Sequence, residues 1–203
     1  MIKKKITLAA LTMLLGIGVL VGSSNSLTAE ASKEGIVSFH GLVHPFEELS
    51  ELEKNAPIIV QATFSGERET IESNLAEGRV FRSDSIVEIK KVYKGDLKKK
   101  DRITVYEPAI VNEDNTYFTI NGYSLMNEEG KYTLFLSPVE NWDGYAIVGI
   151  YQGKFDSRIK GKGQTIKQSS SPEDLTDVDY LGEDVEQFNK LKEQVNKKYK
   201  WAN

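Results

Sequence analysis

The segment "VFRSDSIVEIKKVYKGDLKKKDRITVYEP", residues 80–108, limits what this chain can fold into more than any other. Val87 and Ile89 alternate with polar neighbours, as they must on a half-buried strand. Val92 then falls out of step, and the adjacent Lys90 and Lys91 absorb the shift. One extra residue at that point is a β-bulge, which bends the strand and resets its inward face. A strand bent in this way belongs to a curled sheet or a small barrel. On the return, Ile103 and Val105 take the inner face, and Arg102, Thr104 and Tyr106 the outer one. Lys94 and Lys98 to Lys100 surround the turn at Gly95-Asp96, where charge keeps strand edges from pairing with a neighbour. They read as the solvated outside of that turn, because an anion-binding role would oppose the net charge of −4.

The remaining elements fit the same architecture. "HPFEELSELEKNA" (His44 to Ala56) reads as a helix, with Pro45 in its first turn and Phe46, Leu49 and Leu52 on one face. "PIIVQATF" is a β-branched strand, "SGERETIESNLAEGR" a polar connection, and "KYTLFLSP" a further strand. In "NWDGY" the Asp143-Gly144 pair favours a type I′ turn. "YAIVGIYQGKF" is a last strand, bent near Gly149 or Gly153. Glu183 to Tyr199 places Val185, Phe188, Leu191, Val195 and Tyr199 three or four residues apart, an amphipathic helix. The expected fold is mainly β: a small OB-like antiparallel barrel of about five strands, with an N-terminal helix and a C-terminal amphipathic helix.

The expected organisation is a signal peptide over 1–31, the barrel domain over 32–160, a polar loop or linker over 161–182, and the helix over 183–203. Lys3 to Lys5 make a positive start, and Ile6 to Val21 an uncharged, mostly apolar run. Ala29-Glu30-Ala31 is a small-residue cleavage site, which makes Ser32 the mature terminus. The apolar run is 16 residues long, short of the roughly 20 that span a bilayer as a helix. Contact with the membrane is expected only through this leader, if it stays uncleaved. Without it the chain is more acidic still, near −6, which disfavours nucleic acid as a partner. There is no cysteine, so disulfides, thiol catalysis and cysteine-ligated zinc are excluded. A cysteine-free exported chain with a lysine-rich leader is expected from a Gram-positive bacterium, secreted or associated with the cell envelope.

The ordered blocks "FEELSELEKNAPIIVQATF", "VEIKKVYKGDLKKKDRITVYEP", "GKYTLFLSP" and "GYAIVGIYQGKF" resemble a broad group of small, uncharacterised exported proteins of Gram-positive bacteria. More distantly they resemble netrin-like and tissue-inhibitor-of-metalloproteinase domains, which are OB-type barrels. The resemblance runs from Phe46 to Phe155 with gaps and implies the fold. It implies no mechanism, because those inhibitors reach the metal through an N-terminal cysteine that this chain lacks.

Patterns that carry chemistry are sparse. His40 and His44 are the only histidines. Gly41 between them and Pro45 after them break the helical face on which an i, i+4 pair would hold a metal. No G-x-S-x-G marks a nucleophilic serine, and any histidine base must come from that same N-terminal lead. Asn112 to Asn115 lack the spacing of a calcium loop. Gly161 and Gly163 lack the context of a phosphate loop. No catalytic residue, metal or cofactor is assigned. Tyr106, Tyr117, Tyr123 and Trp142, with Tyr151, are the candidate recognition residues. On an OB-type barrel such side chains either form a face for oligosaccharides or single strands, or pack at the barrel ends, which is the commoner use.

The function expected from the sequence is an exported, non-enzymatic binding protein whose partner is an extracellular protein or a cell-wall ligand. Two alternatives stand beside it: an inhibitor or modulator of an extracellular protease, and a wall-polysaccharide hydrolase using a carboxylate pair that no motif marks.

Overall fold

The computed structural model describes residues 35–41, 45–75, 78–113, 115–159, 175 and 177–201. The expected leader over 1–31, Ser32, His44, Asp114 and the glycines at 161 and 163 lie outside the described residues. The described chain runs β1 (Ile36–Phe39), α1 (Leu49–Asn55), β2 (Ile58–Leu75), β3 (Gly78–Lys94), β4 (Arg102–Glu107), β5 (Ala109–Val111) and β6 (Tyr117–Ile120). It continues through β7 (Tyr132–Pro138), β8 (Tyr145–Ile147), a 3-10 turn (Ile150–Gly153), β9 (Lys154–Asp156) and α2 (Val185–Lys198).

Five strands close on themselves. The hydrogen-bonded order is β2-β3-β4-β8-β7, and β7 returns to β2 through Ile58–Ala62 against Leu136–Tyr132. Every contact in this ring is antiparallel except β4 with β8, where Val105 and Tyr106 run parallel to Tyr145 and Ala146. β9 extends β7 beyond the end of β8. A second sheet, β1-β6-β5, has a ladder of its own and joins β1 to β6 in parallel.

Alternation sorts the side chains of β2 and β7 into two layers. Val60, Ala62, Leu134 and Leu136, all fully buried, share one face and fill the ring. Ile59, Gln61 and Phe135 share the other, where Gln61 and Phe135 meet Tyr199 at the end of α2. The Gln61 amide donates to the Tyr199 carbonyl at 2.9 Å, and Phe135 meets the Tyr199 ring at 5.7 Å. Such strands read as unbroken apolar runs because both faces are covered. α2 forms as its periodicity predicts, and buries Phe188, Leu191 and Val195.

The bend in β3 has the cause given by its sequence. Gln61 pairs with Lys91 and Ala62 with Ile89, so Lys90 is the extra residue. A second irregularity skips Tyr93 before the turn at Gly95. There φ is +97°, and an added Cβ would come within 2.8 Å of Ile58 Cγ1. Lys91, Lys94 and Lys98 to Lys100 are exposed around this bend, and Lys94 donates to the Glu53 carbonyl at 2.7 Å.

Four local expectations need correcting. Residues 65–75 and 78–79 are not a loop: they belong to β2 and β3, paired as an arm from Arg68 opposite Ser85 to Leu75 opposite Gly78. Its polar composition misleads because ladder hydrogen bonds hold the arm and only part of it meets the second sheet, where Phe81 packs against Phe39 and Phe118. The first helix is shorter than expected, Leu49–Asn55. The carbonyls of Phe46 and Glu47 are taken by side-chain amides, Gln152 and Gln187 on Phe46 and Gln187 on Glu47, which holds this lead extended. Asp143-Gly144 is not a two-residue type I′ turn, because the positive φ falls on Asn141, at 64°. The last strand is broken outright: Gly149, at φ 70°, starts the 3-10 turn that separates β8 from β9.

Candidate binding surface

Two charge clusters lie inside the molecule. Glu107, at the end of β4, has no exposed surface. Its Oε1 accepts from Arg68 Nη2 at 2.9 Å and Ser85 Oγ at 2.5 Å; its Oε2 accepts from the Tyr123 hydroxyl at 2.7 Å and the Met126 amide at 2.8 Å. Four donors satisfy the carboxylate and fix the 123–126 segment against the ring. Arg68 also caps the Met126 carbonyl at 2.6 Å. Burial and the adjacent Glu107 charge raise the Tyr123 phenol well above its ordinary range, so it remains a hydrogen-bond donor.

The second cluster centres on Asp179. Lys154 Nζ from β9 is 2.7 Å from Oδ1, Lys192 Nζ from α2 is 3.0 Å from Oδ2, and the Asp156 amide donates to Oδ2 at 2.8 Å. The Lys192 contact is ionic rather than an aligned hydrogen bond. Burial pushes the Asp179 carboxyl upward, but the Lys154 and Lys192 charges outweigh it and hold the group below its usual value. The Lys154 ammonium also lies over the rings of Tyr123 and Tyr132, at 5.3 and 5.4 Å. Asp156 is buried and held by Arg158 at 3.0 Å. These acids are neutralised and saturated with donors; they join β4, β9, α2 and the 177–182 segment.

The outer face of β3 and β4 is different. Arg82 and Asp84 project from β3 and pair through Nε to Oδ1 at 2.6 Å and Nη2 to Oδ2 at 3.2 Å. Tyr106 lies opposite Asp84 in the ladder. Trp142, from the turn between β7 and β8, meets the Tyr106 ring edge-on at 5.3 Å and 89°. The Arg82 guanidinium covers Trp142 at 4.2 Å and Tyr106 at 5.2 Å. Gly144 makes this seat possible, because a Cβ there would lie 2.5 Å from Tyr106 Cζ. Trp142 remains 42% exposed. The cluster is therefore a braced indole with a guanidinium and a carboxylate beside it.

Of the candidate recognition residues, the structure brings Tyr106 and Trp142 together on this face. Tyr117 and Tyr123 are interior: the Tyr117 hydroxyl accepts from the Leu125 amide at 2.7 Å, and Tyr123 serves Glu107. Tyr151 is also interior, stacked on Tyr180 at 4.4 Å. Arg82 and Asp84 were not singled out from the sequence, although the alternation of "FRSDSIVEI" already sets them opposite Phe81, Ser83 and Ser85. The buried Glu107, Lys154, Asp179 and Lys192 carry no sequence motif at all. No known family model matches the chain, and no curated protein matches it.

Proposed function

We propose that this chain is an exported, non-enzymatic binding protein with an OB-like barrel, acting outside the membrane of a Gram-positive bacterium on a ligand of the cell wall. Within the ring, the first three strands are followed by the fifth and then the fourth, and the third and fifth are parallel, a connectivity that supports the Greek-key, OB-like reading. On such a barrel the outer face of the second and third strands and the loop between the fourth and fifth meet ligands. Here these are β3, β4 and the turn carrying Trp142.

The observation that carries the reading is the placement of Trp142, a large apolar side chain kept 42% exposed while Arg82 and Tyr106 brace it. Leaving part of the indole in water forgoes part of a burial that, when complete, is worth about 1.5–3 kcal/mol for a large apolar side chain. The saturation of Glu107 and Asp179 by fixed donors favours binding over hydrolysis, since an acid catalyst must be able to exchange its proton with substrate.

The test is sedimentation of the protein recovered from culture medium with isolated cell walls. Co-sedimentation that saturates with protein concentration is expected. A protein absent from both medium and wall fractions, or one that stays wholly in the supernatant with walls, removes the proposal.

A further inference from the structure

The wall-binding reading leaves the ligand's chemistry open, and the Trp142 surface narrows it. Among the described residues, the exposed large hydrophobics are Val111 and Trp142. A stable protein partner buries about 800 Å² on each side around an apolar, aromatic-rich centre, and one indole does not make such a centre. One indole does suit the apolar face of a single sugar ring.

The polar groups beside it point the same way. Arg82 and Asp84 are partly open, with side chains 16% and 20% exposed. Their mutual pairing occupies Nε and one Nη2 hydrogen of the guanidinium and one lone pair on each carboxylate oxygen. The remaining N–H groups and lone pairs offer donors and acceptors together, the combination that vicinal hydroxyls need. Glu140 and Asp143 are exposed on the same turn as Trp142. Asp84 and Asp143 both act on the Tyr106 hydroxyl, against the one Arg82 guanidinium, and this excess of negative charge disfavours a phosphate-bearing polymer. A neutral ring with hydroxyls meets no such penalty.

We propose, resting on the reading that this face is the binding surface, that Trp142, Arg82 and Asp84 form a subsite for one neutral pyranose unit of a wall glycan. The sugar's C–H face stacks on the open part of the indole. Its hydroxyls bridge the Arg82 guanidinium and the Asp84 carboxylate. The Arg82–Asp84 pair and Tyr106 hold the indole before the ligand arrives, so little ordering cost remains to be met on binding.

The experiment titrates an N-acetylglucosamine hexamer, and separately muramidase-released peptidoglycan fragments, against protein carrying Trp201→Phe, which leaves Trp142 as the sole tryptophan. A saturable change in Trp142 emission with either probe is expected, and calorimetric titration, which needs no tryptophan, should show about a tenfold or larger loss of affinity in Trp142→Ala. Asp84→Asn, which preserves shape, is expected to weaken binding in the same direction, and a thermal melt of each variant shows that it is folded. Unchanged Trp142 emission with both probes overturns the subsite. Sedimentation of Trp142→Ala with walls separates the two levels: wall binding equal to that of the unaltered protein overturns the subsite and spares the wall-binding reading. Failure of the unaltered protein to bind walls overturns both.

Discussion

Lys154 Nζ stands 2.7 Å from Asp179 Oδ1, with both side chains withdrawn from solvent, and Lys192 approaches the other oxygen at 3.0 Å. One carboxylate thus answers two buried ammonium groups from different elements. Removing its charge leaves both cations without a counter-ion inside the protein, where breaking a buried pair costs about 3–5 kcal/mol. Asp179→Asn is expected to lower the unfolding free energy measured by urea titration by an amount in that range, whereas Asp143→Asn on the exposed turn leaves it unchanged.

The same pair sets an acid limb. The folded-state carboxyl of Asp179 lies below its ordinary value of 3.8, because Lys154 and Lys192 outweigh the effect of burial. A lowered acid constant means that the stabilisation is present above the unfolded value and is lost as pH falls through the folded one. Stability measured by urea titration from pH 6 downward should therefore decline below about pH 4. The decline should be shallower in Asp179→Asn. An identical acid limb in the two proteins contradicts this role.

Glu107 offers a graded series. Tyr123→Phe deletes one of four donors and leaves Arg68 to neutralise the carboxylate, so a loss of about 1–3 kcal/mol is expected. Glu107→Ala strands the Arg68 guanidinium and the Ser85 and Tyr123 hydroxyls at once, and about 3 kcal/mol or more should be lost. Chemical denaturation of both variants tests the order. A larger loss for Tyr123→Phe than for Glu107→Ala would contradict the carboxylate's central role and show that the Tyr123 hydroxyl matters beyond its bond to Glu107.

At the lysine-rich bend, geometry and charge separate cleanly. Lys98, Lys99 and Lys100 point to water, so replacing all three with Gln should leave the melting temperature and wall binding unchanged. Gly95→Ala should destabilise the protein although it alters no charge, because φ of +97° and the Ile58 contact at 2.8 Å both oppose a side chain. Loss of wall binding in the triple variant would give the lysines a role that their position on the outside of the turn does not provide.

What could be read from sequence was whatever repeats along one element. The bulge at Lys90 follows from two inward residues and one out of step, and the buried face of α2 from Phe188, Leu191 and Val195. The outward row of Arg82 and Asp84 was equally open to reading. What depends on several elements meeting was not. Nothing local to "DVDY" marks Asp179 as the carboxylate between Lys154 and Lys192, and these three residues come from three separate segments. The paired arm over 68–75 and 78–85 was hidden for a related reason: ladder hydrogen bonds tolerate polar side chains, so its composition resembles that of a loop. Tyr117 and Tyr123 show the limit for aromatics, since a tyrosine suits a surface or a satisfied interior equally well.

The turn between β7 and β8 supplies the last test. Gly144 has an ordinary backbone angle, and its lack of a side chain matters because Tyr106 lies where a Cβ would point, 2.5 Å away. Asn141, three residues earlier, carries the positive φ of 64°. Gly144→Ala should displace the Tyr106 ring, at a cost of about 1–3 kcal/mol for overpacking, and loosen the indole that rests on it. Trp142 emission, read in the Trp201→Phe background, should shift to the red and become more accessible to acrylamide. Asn141→Gly relieves the backbone without touching Tyr106 and should leave both readings as they were. If the two substitutions perturb Trp142 alike, the turn's backbone positions the indole. If only Gly144→Ala does, Tyr106 is its support.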